Sequence, residues 1–299
     1  MEIESIWKKT KRVWNFSRRL PVIPIIILLV IVVCALFADL AWLGFPDIRL
    51  APYGPNDMSL GDRLTPPFFM SGGSTEHILG TDNIGRDILS RMIYGARISL
   101  SISLLVIAIS SIIGLILGMV AGYARGKTDS FIMRVTDAAM AFPALLIALL
   151  LAVSLGPSFF TVVVALSALS WAPYARMMRG EVIKLRDEDF VAQARIIGDS
   201  PLRILMKHIF PNIVNILIVL MTVSVGLVIL IEASLSFLGA GVPITTPTWG
   251  AMASDGRNKI VEGWWISLFP SLAIGLVVLS CNFLGDWIRD KMDPRLRQL

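Results

Sequence analysis

Six apolar runs separated by polar, charge-bearing stretches dominate the chain, at 21–43, 98–121, 138–155, 159–173, 213–231 and 266–287. Each approaches the roughly 20 residues that an α-helix needs to cross a bilayer core. The pattern therefore predicts an all-α polytopic membrane protein with six transmembrane helices. Between the fourth and fifth runs, 189–212 reads D-F-V-A-Q-A-R-I-I-G-D-S-P-L-R-I-L-M-K-H-I-F-P-N, a charged helix-turn-helix. Phe190, Ala194 and Ile197 fall at i, i+4 and i+7 on one helical face, and Gly198 suits the left-handed position after the helix. Ser200-Pro201 supplies an N-cap followed by proline at the first position of a second short helix, and Pro211 is expected to end that helix before the next span.

Composition agrees with the pattern. At 55% hydrophobic and 16% charged residues, with mean hydropathy +0.73 over 299 residues, the chain is too apolar for a soluble domain. That makes a nucleic-acid role a poor fit despite a pI near 9.4. Basic residues are unevenly placed. Lys8, Lys9, Lys11, Arg12, Arg18 and Arg19 precede the first run; Arg125, Lys127 and Arg134 follow the second. Arg176, Arg179, Lys184, Arg186, Arg195, Arg203 and Lys207 follow the fourth; Arg289, Lys291, Arg295 and Arg297 follow the sixth. Together they put 20 of 27 basic residues on one side, which the positive-inside rule makes cytoplasmic. Both termini and the 189–212 segment are then inside. The first run exceeds a signal-peptide core of about 7–15 residues, so it is expected to be a retained anchor. Trp42, Trp264, Trp265 and Trp287 stand at span ends, where interfacial aromatics and core packing both place tryptophan.

Candidate chemistry is sparse. His77 and His208 are the only histidines, and Cys34 and Cys281 both fall in apolar runs, so neither a metal site nor a disulfide is expected. Residues 121–128 match a relaxed phosphate-loop pattern, but they follow a membrane helix rather than a strand, so ATP binding is not expected there. Gly114, Gly118 and Gly122 recur at four-residue intervals and permit close helix approach, within the bundle or against a partner. Asp137 and Glu232 are the ionisable groups at the edges of spans, candidates for a pathway or gating role. Arg134, one turn before Asp137, offers the simpler account of that residue as half of an ion pair. Pro143 and Pro173 are expected to bend their helices.

The 189–212 segment resembles the cytoplasmic EAA loop of ABC-importer permeases, where E-A-A is followed after three residues by glycine and, nine residues later, by I-x-L-P. Ala192-Gln193-Ala194 stand at E-A-A, Gly198 keeps the spacing, and His208-Ile209-Phe210-Pro211 close the pattern. Ala192 replaces the acidic first position and Gln193 an alanine. Further segments resemble the second, or C, permease of dipeptide, oligopeptide and nickel importers. They are H-I-L-G-T-D-N-I-G-R-D-I-L-S-R at 77–91, Tyr94-Gly95-Ala96-Arg97, and Asp137 with Ala141-Phe142-Pro143. E-A-S-L-S-F-L-G at 232–239, Leu284-Gly285-Asp286, Arg289-Asp290 and Asp293-Pro294-Arg295 complete the set. The resemblance covers about residues 20–297.

It implies a type I ABC-importer permease fold in a prokaryotic cytoplasmic membrane, divided into a cytoplasmic arm (1–20), a first anchor (21–43), an extracytoplasmic segment (44–97), a permease core (98–287) with a coupling loop at 181–211, and a cytoplasmic tail (288–299). The implied partners are a second homologous permease, two ATPase subunits that carry ATP and Mg, and an extracytoplasmic binding protein that delivers peptide. The chain itself would bind no cofactor and catalyse no bond chemistry. Phe190, Ala192, Gln193, Ala194, Gly198 and Pro211 are the implied ATPase-coupling residues, with Arg195 and Arg203 at the rim. Nickel or a nickel chelate is the alternative cargo. An ion-driven secondary transporter would show inverted repeats and midplane charges, which are not evident, and a non-transporting scaffold is the third reading.

Overall fold

The computed structural model describes residues 20–39, 49–243 and 245–292, and its regular structure there is helical apart from one isolated bridge between Thr81 and Asp87. Helix α1 (Val22–Phe37) is the described part of the first run; Trp42 and the rest of that run to residue 43 lie outside the described residues, as does the arm up to residue 19. A helix end leaves carbonyls without donors, and Arg97 supplies them here: its Nε donates to the Ala35 carbonyl (2.8 Å) and one Nη to the Asp39 carbonyl (2.7 Å). The two cysteines are free thiols, packed with Ala35, Ile229, Trp249 and Ile274 in one apolar cluster.

Helix α2 (Ile88–Ala124) starts ten residues before the expected span because Asp87 caps it, accepting from both the backbone N–H and the hydroxyl of Ser90 at 2.7 Å. The third run is not one straight helix. Helices α3 (Gly126–Ala141) and α4 (Ala144–Leu155) meet at 83°, and Phe142 is extended (φ −90°, ψ 141°), as a residue before proline prefers to be. Helix α5 (Phe159–Arg186) runs through Pro173 and 13 residues past the expected end. The extension is charged on one side, which lowers its hydropathy, while Tyr174, Ala175, Met178 and Val182 bury the other.

After the short helix α6 (Asp189–Ile197), one turn at Pro201–Arg203 passes into a π-helical stretch, Ile204–Ile209, and then into α7 (Phe210–Phe237). The expected break at Pro211 does not occur, and the helix is continuous from Pro201 to Phe237. The wider π turns immediately before Pro211, where the Phe210 N–H reaches the Leu205 carbonyl, shift the hydrogen-bond ladder just where proline removes a donor. Helices α8 (Trp249–Asp255) and α9 (Trp265–Met292) complete the described bundle.

Among the described residues four helices are long and apolar enough to cross a membrane: α2, α5, Pro201–Phe237 and α9. The bent α3–α4 pair makes five if it counts as one crossing; α1, with 16 described residues, is shorter than a full span. Six is thus more than length alone supports. The tightest packing joins α2 to α5, and the three spaced glycines account for it. A Cβ on Gly114 would lie 2.4 Å from that of Tyr174, one on Gly118 2.7 Å from the Ala175 carbonyl oxygen, and one on Gly122 2.8 Å from the Val182 Cβ. This stripe faces its own chain and is not free to meet a partner subunit.

Candidate functional site

Helix α6 is built as its sequence suggests. Gly198 takes φ +93°, a conformation glycine adopts without penalty. Its N–H and that of Asp199 close the last turn by donating to the carbonyls of Arg195 (3.1 Å) and Ala194 (3.0 Å). Ser200 then caps the next turn, accepting from the Arg203 N–H. Asp199 is held by Arg203 Nη1 at 2.9 Å and by His208 Nε2 at 3.2 Å. The Arg203 guanidinium, with His208 beside it, keeps the Asp199 carboxyl below the usual carboxylate range.

The expected apolar face of α6 divides in two. Ala194, expected on one face with Phe190 and Ile197 and in contact with a partner, is instead buried in the bundle beside Val191, three residues before it; both sit on Met178, Val182, Ile204 and Ile209. Phe190 and Ile197 point away, 37% and 81% exposed, joined by Ile196 at 86% and Leu202 at 70%. Ala192 and Gln193 are exposed as well. Val191 and the Ile196, Leu202 pair were not singled out by periodicity, because a nine-residue helix is too short for its period to say which of two apolar stripes meets the bundle. Arg195 lies over the Tyr123 ring, and Pro211 opens α7.

Asp137 is paired with Arg176 of α5, not with Arg134, because α3 packs alongside α5 and brings the exposed Arg176 opposite it. That pair extends a series: Arg179 makes a two-pronged contact with Asp129 (2.5 and 2.7 Å), and Arg125 binds Asp187 (2.5 Å). Three Arg–Asp contacts thus tie α3 and the turn before it to α5 and the residue after it. Glu232 is in a different environment. It is 1% exposed, accepts from the Ser236 hydroxyl at 2.9 Å, and has the Ser99 and Thr248 hydroxyls near it. Its second carboxyl oxygen has no hydrogen-bond partner among the described residues.

The 77–91 stretch, noticed only as a motif, is a buried polar knot. Asp82 accepts from Arg86 Nε (2.5 Å) and from the Ile84 and Arg86 N–H groups; Arg86 also reaches Asp255 (3.4 Å). His77 contacts Asp87 at 3.0 Å, Arg91 donates to the Pro55 carbonyl, and the Trp265 indole donates to the Thr81 carbonyl. Burial pushes the Asp255 carboxyl upward against the pull of Arg91 and Arg86. The knot clamps the irregular 49–87 segment onto α2, α8 and α9, and Trp265 is a core residue of it. Residues 121–128 form a helix-turn-helix with Arg125 and Gly126 at positive φ, not the strand-loop-helix of a phosphate cradle. Among the described residues no cluster of His, Cys, Asp or Glu could hold a metal ion.

A bundle of membrane-length helices, with a short helix between two of them that exposes apolar side chains beside a glycine turn, is the arrangement that the resemblance to ABC-importer permeases implies. Residues 114–298 match the model of the family described as binding-protein-dependent transport system inner membrane component, and the chain belongs to that family. It is a permease subunit rather than an enzyme; in this class ATP hydrolysis is carried by separate subunits. The chain is 41% identical over 275 residues to a putative peptide transport system permease protein of Brucella suis, covering 92% of this chain and 88% of that one. It is 40% identical over 273 residues to the di/tripeptide transport system permease protein DppC of Pseudomonas aeruginosa, covering 91% and 87%. Among solved structures, an inward-facing MetNI methionine ABC transporter matches with a TM-score of 0.58 at 16% identity, over 69% of this chain and 98% of that one. That likeness shows the type I permease fold.

Proposed function

We propose that this chain carries di- or oligopeptides across a prokaryotic cytoplasmic membrane as the C-type permease of an ABC importer. The observation that carries the cargo is that relatives at 40–41% identity over more than nine tenths of this chain are named for peptide or di/tripeptide transport. In this reading the chain crosses six times, through the first apolar run that contains α1, then α2, the bent α3–α4 pair, α5, Pro201–Phe237 and α9. Both termini are cytoplasmic, in keeping with the 20 of 27 basic residues on that side. The 44–97 segment with its knot faces the binding protein, and residues 98–287 form the permease core with the coupling loop at 181–211. A homologous permease completes the pathway, and two ATPase subunits hold ATP and Mg.

Phe190, Ala192, Gln193, Ala194, Gly198 and the exposed Ile196, Ile197 and Leu202 form the ATPase-docking element, and Pro211 sets the register of the helix that leaves it. Burying the exposed Phe190, Ile196, Ile197 and Leu202 on a partner removes apolar surface from water, worth about 25 cal/mol per Å², while Ala194 anchors the element to the bundle. Arg195 and Arg203 act first within the chain and only secondarily as rim contacts. An ATPase that binds nucleotide differently in two states can shift the permease between them through this element. Asp137 and Glu232 belong to the switching bundle, Asp137 through its pair with Arg176 and Glu232 as an internal pin between α7, α2 and α8.

Proteoliposomes holding the two permeases and ATPases, with binding protein outside, are expected to accumulate labelled dipeptide when ATP is inside; accumulation of nickel without peptide would overturn the cargo. The pin makes a separate prediction. Glu232→Ala removes the acceptor from Ser236 and opens a buried polar gap, at a cost of about 1–3 kcal/mol, and uptake is expected to fall at least fivefold while Glu232→Gln stays within about twofold. Full uptake by the alanine variant would reduce Glu232 to a capping group.

A further inference from the structure

Three elements meet on the ring of Tyr123. Tyr123 lies in the last turn of α2, half-buried against the cluster that receives Val191 and Ala194 of α6. The guanidinium carbon of Arg186, the last residue of α5, stands 5.7 Å from the ring centroid, and that of Arg195, on α6, stands 5.6 Å from it. Arg186 Nη1 also donates to the Tyr123 carbonyl at 2.6 Å, and Arg195 Nη2 reaches the Arg186 carbonyl at 3.4 Å. The contacts thus form a closed circuit with one residue from each of α2, α5 and α6. A second tie, Arg125 to Asp187, joins the turn after α2 to the two-residue link between α5 and α6.

Helix α6 has little else to push with. Its buried side is two small side chains, Val191 and Ala194, and apolar contacts of that size resist sliding weakly. A guanidinium stacked on an aromatic face is held by charge–quadrupole attraction and by its planar shape, so it resists separation and fixes the direction in which a load is passed. Arg186 Nε is buried and has no hydrogen-bond partner among the described residues, so the Tyr123 contacts are what hold that end of the guanidinium. Downstream of the ring the load meets a rigid pair, since Gly122, the adjacent residue, already packs against Val182 and Arg179 of α5.

We propose that Tyr123 is the positioning residue that passes displacement of α6 to the α2–α5 pair, with Arg195 as the contact that loads it. This rests on the reading of α6 as the ATPase-docking element. The role belongs to the ring face, so the hydroxyl is dispensable.

The test is the ratio of peptide transported to ATP hydrolysed in the reconstituted four-subunit complex, with Tyr123→Leu, Tyr123→Phe, Arg195→Gln and the Tyr123→Leu/Arg195→Gln double variant. Tyr123→Leu is expected to assemble and to keep basal ATP hydrolysis while the ratio falls about tenfold; Tyr123→Phe stays within about twofold, and the double variant is no worse than the single. A merely structural tyrosine would lower assembly and leave the ratio of the assembled fraction alone. A normal ratio in Tyr123→Leu, an equal loss in Tyr123→Phe, or additive losses in the double variant would each overturn the proposal. If Tyr123→Leu does not assemble, Arg195→Gln decides by the same ratio. If the unmodified complex moves no peptide, the cargo reading fails and the joint is read without cargo. Spin labels at exposed Leu104 of α2 and Leu279 of α9 are then expected to change separation with ATP in the unmodified complex and in Tyr123→Phe, and not in Tyr123→Leu; a change that survives in Tyr123→Leu overturns the joint.

Discussion

Gly118→Leu is expected to leave no stable complex in detergent, whatever its level of expression. A Cβ at this position would lie 2.7 Å from both the Ala175 carbonyl oxygen and the Met178 Cβ, and 3.0 Å from the Arg179 backbone nitrogen. Two of those three atoms are backbone, so no rotamer change relieves the clash and α2 must move off α5. Overpacking of ordinary side chains costs about 1–3 kcal/mol, and a branched side chain forced between helix backbones belongs above that range. Gly180→Ala on the partner helix is the matched control: nothing lies within 4 Å of its added Cβ, and alanine favours the helix by about 1 kcal/mol. Thermal stability by size-exclusion chromatography should rise slightly for Gly180→Ala and collapse for Gly118→Leu. Equal behaviour of the two would mean that the glycine stripe does not set the α2–α5 approach.

Gly198→Val separates conformational strain from packing, because nothing lies within 4 Å of the added Cβ and φ is +93°. A left-handed conformation costs an L-residue about 1–2 kcal/mol, and a β-branched one sits there least readily. A cost of that size changes the population of the native turn by about 5–30-fold. The bundle is expected to fold, since the turn lies at its edge, but the end of α6 and the exposed Ile196, Ile197 and Leu202 are displaced. The measurable result is ATP hydrolysis that no longer responds to loaded binding protein, with protein yield unchanged. Normal stimulation in Gly198→Val would remove this turn from the docking element.

How far the chain could be read in advance depended on whether a signal was local. The left-handed Gly198, the Ser200 cap and the kink at Pro143 are set within four or five residues, and all three stand in the structure as expected. Where charge and burial coexist on one helix, hydropathy misled: residues 174–186 of α5 carry arginines on one side and core residues on the other. Pro211 was misread because a π-helical stretch upstream can absorb a missing donor, and no residue type announces such a stretch. The pair of Asp137 with Arg176 spans 39 positions, and the contact of Arg86 with Asp255 spans 169. Asp82, Arg86 and Asp87 stood in the sequence only as part of a motif, and nothing local announces that each is less than 5% exposed in the knot. Val191 was missed for the plainest reason, that on a short helix two apolar stripes fit the period equally well.

The most direct test is ATP hydrolysis by the co-purified permease–ATPase complex in lipid, with and without binding protein loaded with a di- to pentapeptide. Stimulation by the peptide-loaded protein, lost in Gly198→Val, is the predicted result. Hydrolysis that ignores peptide-loaded protein and rises only with nickel-loaded protein would contradict the peptide-importer account.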